Sequence, residues 1–165
     1  MEKIKSFQID HTKLKPGLYI SRVDVIGKQT EAEQMIITYD MRFVTPNKGD
    51  MDPSAMHTIE HLCATFLRNR LREAIIYFGG MFCLTGFYCV VSPYENRSTV
   101  NPERFKDHLI ECMKYIIDFE GEIPGASEVE CGNYKFHNLE KAKEYARIYL
   151  NVLENLTKET MVYPE

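Results

Sequence analysis

The chain has 165 residues, 44% hydrophobic and 27% charged, with a formal net charge of −4 and a pI near 5.8. That length fits one domain spanning residues 1–165 with a real core, and the acidic balance with dispersed basic residues argues against a nucleic-acid partner. No apolar run reaches transmembrane length and the N-terminus lacks a signal-peptide core, so a cytoplasmic protein with no membrane partner and five reduced cysteines is expected. Residues 17–27 are rich in β-branched side chains and read as a strand. Residues 35–44 read as a second, with Ile37, Tyr39, Met41 and Phe43 on one face and Thr38, Asp40 and Arg42 on the other. After a turn-rich loop, Asp52-Pro53 reads as an N-cap with proline at the first helical position, and the helix runs to about Arg72. Residues 74–78 suggest a short strand and 85–92 a firmer one, apolar on both faces and therefore central. Asn101-Pro102 opens a second helix with Phe105, Leu109, Met113, Ile116 and Ile117 as its stripe. Residues 120–133 form a long loop. Asn138 then caps a third helix, where Tyr145, Ile148, Tyr149, Val152 and Leu156 recur at helical spacing. The sum is an α+β fold, a mostly antiparallel sheet covered on one face by helices.

The first helix contains His57-Thr58-Ile59-Glu60-His61. At about 100° per residue the two imidazoles stand about 40° apart on one face, close enough to share a metal ion. Glu60 falls about 60° to the other side of His57, so its carboxylate borders the same position as a ligand or a base. Ile59, Leu62, Cys63 and Phe66 cluster on the opposite side, which packs into the core while the histidine face offers ligands. This H-x-x-E-H order is a known metal-hydrolase signature. A catalytic centre needs a third protein ligand. Cys63, Cys89 and Cys112 sit in apolar settings and read as packing thiols, whereas Cys131 precedes Gly132-Asn133 in the irregular segment. Cys83 lies where a loop meets the central strand, a position at which a rigid element can orient a reactive thiol. His108 and His137 read as surface or capping residues.

His57-Thr58-Ile59-Glu60-His61 followed far downstream by Cys131-Gly132 resembles the S-ribosylhomocysteine lyase family, which makes the autoinducer precursor of bacterial quorum sensing within the activated methyl cycle. Ser6-Phe7 with Asp10-His11, Asp40-Met41-Arg42-Phe43 with Pro46-Asn47-Lys48, and Cys83-Leu84-Thr85-Gly86-Phe87-Tyr88 resemble further family motifs in the same order. The resemblance implies that His57, His61 and Cys131 bind the metal, that Cys83 and Glu60 are the acid/base pair, and that Ser6, His11 and Arg42 bind substrate or handle protons. It implies Fe2+ as cofactor, with Zn2+ or Co2+ able to substitute. S-ribosylhomocysteine is the implied small-molecule substrate, and the implied assembly is a homodimer with active sites at the subunit interface. Phe82, Leu84 and Pro93 depart from the family pattern, which usually has glycine, a polar residue and glycine there. Two other readings of the pentapeptide are an H-x-x-E-H metallopeptidase, with a downstream carboxylate as third ligand, and a non-catalytic domain with a closed four-ligand metal.

Overall fold

The computed structural model describes residues 2, 4, 7–27, 34–92 and 101–164, with only the backbone of Glu159; Ser6 and Pro93 lie outside the described residues. Strands β1 (Gly17–Ile26), β2 (Gln34–Arg42), β3 (Ile75–Gly80) and β4 (Gly86–Val91) form one antiparallel sheet in the order β1-β2-β4-β3. β4 is therefore paired on both edges, as its two-sided apolar composition predicts. β3 extends two residues past the expected end, through Gly79 and Gly80, and Cys83 lies in the tight connection to β4. At the start of β4, a Cβ on Gly86 would collide with the Met41 carbonyl, so only glycine lets the two strands close up beside Arg42.

Helices α1 (Pro53–Leu71), α2 (Pro102–Asp118) and α3 (Leu139–Glu154) all start at the caps read from the sequence. Asp52 accepts the Ala55 N–H at 3.0 Å, and Asn101 and Asn138 likewise accept first-turn amides. The Asp52 N–H donates to the Tyr145 hydroxyl at 3.0 Å, tying the start of α1 to α3. Ile59, Leu62, Cys63 and Leu67 of α1 join Tyr39, Met41, Phe87 and Cys89 of the sheet in one continuous core. Phe43 stacks on Tyr149 at 3.9 Å, and the buried Tyr149 hydroxyl donates to the Gly17 carbonyl. Cys63, Cys89 and Cys112 are buried as expected.

One expectation is corrected. The buried face of α3 is Ala142, Ala146, Tyr149 and Leu153, while Ile148 is 56% exposed. Small alanines let α3 lie close against α2, and a stripe drawn through the bulkiest side chains misses them. On the polar face of β2, Asp40 and Arg42 are 1% and 2% exposed, and Arg42 lines a cavity as its place on that face implies. Tyr163, from the segment after α3, donates its hydroxyl to Asp40.

Replacing Asp52 with Ala removes the α1 cap and is expected to cost about 1 kcal/mol. Urea unfolding of the variant should show a lower midpoint with an unchanged slope.

Candidate metal centre and thiol half-site

The buried side of α1 fixes which way its other side points, and His57 and His61 stand on that other side. Their Nδ1 atoms contact main-chain carbonyl oxygens, His57 that of Phe136 and His61 that of Pro124, each at 2.7 Å. A carbonyl only accepts, so each Nδ1 carries the proton and each Nε2 lone pair is free to ligate. Gly125, with φ +74, allows the Pro124 turn this approach: a Cβ there would lie 3.3 Å from His61 Nδ1. Cys131 sits in a turn closed by its own N–H to the Ser127 carbonyl at 3.0 Å, which leaves Sγ 3.4 Å from His57 Nε2.

A fourth imidazole joins them. His137 stacks on His57 with ring centroids 4.1 Å apart, and its Nδ1 lies 3.2 Å from Thr58 Oγ1. The Thr58 hydroxyl donates to the Ser54 carbonyl and accepts the Asn138 N–H. Its one proton is therefore committed, and His137 Nδ1 must be the donor. His137 Nε2 is then an unprotonated, buried nitrogen with no hydrogen-bond partner among the described residues. Burial, then the charges of His57 and His61, push the His137 pKa down to about 4. The ring is thus neutral near pH 7, the state a metal requires.

One ligand atom each from His57, His61, Cys131 and His137 lie within 4.8 Å of one another. Imidazoles pinned through Nδ1, a convergent thiol and an orphaned imidazole nitrogen fit a borderline-soft divalent cation such as iron, zinc or cobalt. Glu60 lines the same cavity of about 580 Å³, beside His57 and His61.

Cys83 occupies a separate cavity of about 470 Å³, lined also by His11, Arg42, Asn47, Asp50 and Thr85. Its turn is held by Leu84 N–H to the Met81 carbonyl and by Met81 N–H to the Gly86 carbonyl, each at 2.9 Å. Leu84 adopts φ 58, a left-handed conformation uncommon for leucine. Cys83 Sγ lies 3.1 Å from Thr85 Oγ1 and 4.0 Å from Arg42 Nη1, and that same nitrogen donates to Thr85 Oγ1. Arg42 Nη2 donates to Asp40 Oδ2 at 2.6 Å. Burial works against the Arg42 charge, but the Asp40 charge and hydrogen bond, with smaller contributions from Cys83 and Tyr88, hold its pKa above the ordinary arginine value. His11 is fixed by its own Nδ1–H donating to the Ile9 carbonyl at 2.9 Å.

The sequence-predicted residues thus divide into two groups. His57, His61, Cys131 and Glu60 border one cavity, Arg42, Cys83 and His11 another, and the two share no lining residue. The residue that sequence reasoning missed is His137. It stands directly before the α3 cap and reads as a capping residue, but it is six positions from Cys131 on the same irregular segment, which was the available signal.

One sheet and three helices that bring imidazoles, a thiol and a carboxylate together define a small α+β enzyme of the metal-dependent kind. The sequence profile of the S-ribosylhomocysteinase (LuxS) family matches residues 4–160, and the chain belongs to that family. It is 45% identical to the S-ribosylhomocysteine lyase of Finegoldia magna over the full length of both chains. It is 44% identical to that of Borreliella burgdorferi, covering 99% of this chain and 100% of the relative, and 43% identical to that of Clostridium beijerinckii, covering 99% of each.

Cys131→Ala is expected to weaken metal binding more than Thr58→Val, which removes only the acceptor that orients His137 and should cost about tenfold in affinity. Competition against a chromophoric chelator measures both.

Proposed function

We infer that the chain is an S-ribosylhomocysteine lyase that converts S-ribosylhomocysteine to homocysteine and 4,5-dihydroxy-2,3-pentanedione, the autoinducer-2 precursor. The observation that carries this reading is an exposed thiol beside a buried guanidinium, in a family member that also holds an imidazole–thiol cluster. We propose His57, His61 and Cys131 as ligands of Fe2+, with the neutral His137 beside them. A bound divalent cation supplies Lewis acidity at the sugar carbonyl. Cys83, as thiolate, takes the proton from the carbon next to that carbonyl and returns it to the neighbouring carbon, moving the carbonyl along the chain. Glu60 relays the hydroxyl protons that must move with it. Once the carbonyl reaches C3, loss of a proton from C4 expels the homocysteine sulfur at C5. No water is consumed and no electron is exchanged with an outside reagent. Arg42 holds negative charge at Cys83 and substrate oxygens, and His11, with Ser6, binds the substrate.

The separation of the two cavities supports a homodimer in which the thiol half-site of one chain faces the metal half-site of the other. Apolar side chains flank both: Phe82, next to Cys83, is fully exposed, and Tyr77 and Phe136, near the metal cluster, are 51% and 44% exposed. Among the described residues no helix is long and apolar enough to cross a membrane, and we place the enzyme in the cytoplasm. The metallopeptidase reading requires a carboxylate as third ligand, where the cluster offers Cys131 and His137. His137 raises the donor count to that of a structural centre, but the cavity beside the cluster, with Glu60 on its wall, favours catalysis.

Anaerobically prepared protein should release homocysteine from S-ribosylhomocysteine in a thiol assay, and its absence with iron bound would refute the assignment. Cys83→Ala should lower turnover by at least about 10³-fold while metal content holds. Neither Cys83→Ala nor His57→Ala should be active alone, but exchanging their subunits should restore about one quarter of wild-type activity, because half the dimers then carry one intact site.

A further inference from the structure

We propose that the segment after α3 is a positioning element of the thiol half-site, with Tyr163 setting the Arg42 guanidinium through Asp40. The inference rests on the reading of Arg42 and Cys83 as a working pair. Asp40 lies on β2, 1% exposed, and its Oδ2 accepts two bonds, from Arg42 Nη2 at 2.6 Å and from the Tyr163 hydroxyl at 2.9 Å. Asp40 Oδ1 and Arg42 Nε have no hydrogen-bond partner among the described residues. Among the described residues the carboxylate is thus held by two donors, and one of them is Tyr163, after α3. A buried carboxylate turns toward whatever donors remain. Moving Asp40 therefore moves the guanidinium whose other nitrogen contacts Thr85 and Cys83.

The placement of Tyr163 is itself well determined. Its ring stacks on Tyr19 with centroids 5.0 Å apart and planes 13° from parallel. Tyr19 is the cross-strand neighbour of Asp40, and its own hydroxyl donates to the Lys15 carbonyl at 2.9 Å. Upstream, Met161 is buried, and Thr157 and Thr160 bond each other's main chain to close the turn that leads back to the sheet. Burial and then the Asp40 charge raise the Tyr163 pKa far above its usual value, so the phenol keeps its proton and remains a donor at any working pH. Tyr163 falls beyond residue 160, where the family match ends.

Tyr163→Phe removes the hydroxyl and keeps the stacked ring. In full-length, metal-loaded protein, the rate of Cys83 alkylation by iodoacetamide at pH 7, followed on the Cys83 peptide by mass spectrometry, should fall about threefold to tenfold, the size of one lost hydrogen bond of ordinary strength. The kcat for thiol release should fall by a similar factor, with KM and metal content within about twofold of wild type. Tyr163→Ala, which also loses the stacking, should show at least the same alkylation loss. A lower melting temperature with unchanged alkylation would reduce Tyr163 to a structural residue and overturn the proposal, as would a loss of kcat without slower alkylation. Because alkylation needs no turnover, slowed alkylation in a protein that releases no homocysteine would sustain the positioning role while refuting the lyase reading.

Discussion

The metal end of the molecule depends on α1 being buried on one side only. Ile59, Leu62, Cys63 and Leu67 each lose all solvent contact, and burying such a side chain contributes about 2 kcal/mol. That packing fixes the rotation of the helix about its axis, and the rotation fixes the direction of His57 and His61. Two main-chain carbonyls then set the tautomers, so the metal-facing nitrogens are chosen by the backbone of a loop more than sixty residues away. A single amphipathic helix thus supplies both the anchor and two of the four clustered donor side chains.

The thiol end rests on a less economical device. Asp40 and Arg42 are both almost wholly removed from water, and the desolvation of two charges consumes much of their mutual attraction. Apolar residues of similar volume in those places would often leave a protein as stable or more so. What the ion pair supplies is a guanidinium with a fixed direction at a cavity wall, beside a thiol on the connection to a central strand of the sheet. The positioning is a function of rigidity, and it is obtained at some expense in stability.

Much of this was legible in the chain because the signals were local. Asp52, Asn101 and Asn138 are N-caps whose side chains act within three residues, and each helix begins where they indicate. The spacing of His57 and His61 places both rings on one face whatever surrounds them. The rest required knowledge of what approaches from a distance. Asp40 reads by alternation as one residue of a polar face, and nothing near it in sequence shows that a tyrosine 123 positions later bonds its buried carboxylate. His137 reads as a cap neighbour because nothing in its immediate sequence shows that Thr58, 79 positions earlier, uses up its own proton and orients the ring. The α3 face was misjudged for a related reason. Helix–helix approach selects small side chains, and a search for large apolar residues passes over Ala142 and Ala146.

Between Ile116 and Ala142 no residue is fully buried, although this stretch contributes Cys131, His137 and the carbonyls that orient both α1 histidines. A segment with so little core of its own has few means of resisting local opening. A cation held by His57, His61 and Cys131, as proposed above, would join this loop to α1, and part of its binding free energy would go into folding the loop. Stripping the ion should leave β4 and the sheet's slowly exchanging amides undisturbed while residues 119–137 open on a faster timescale. The two ends of the site thus differ in support: the thiol end rests on the sheet and the core it shares with the helices, the other on a loop with no fully buried residue.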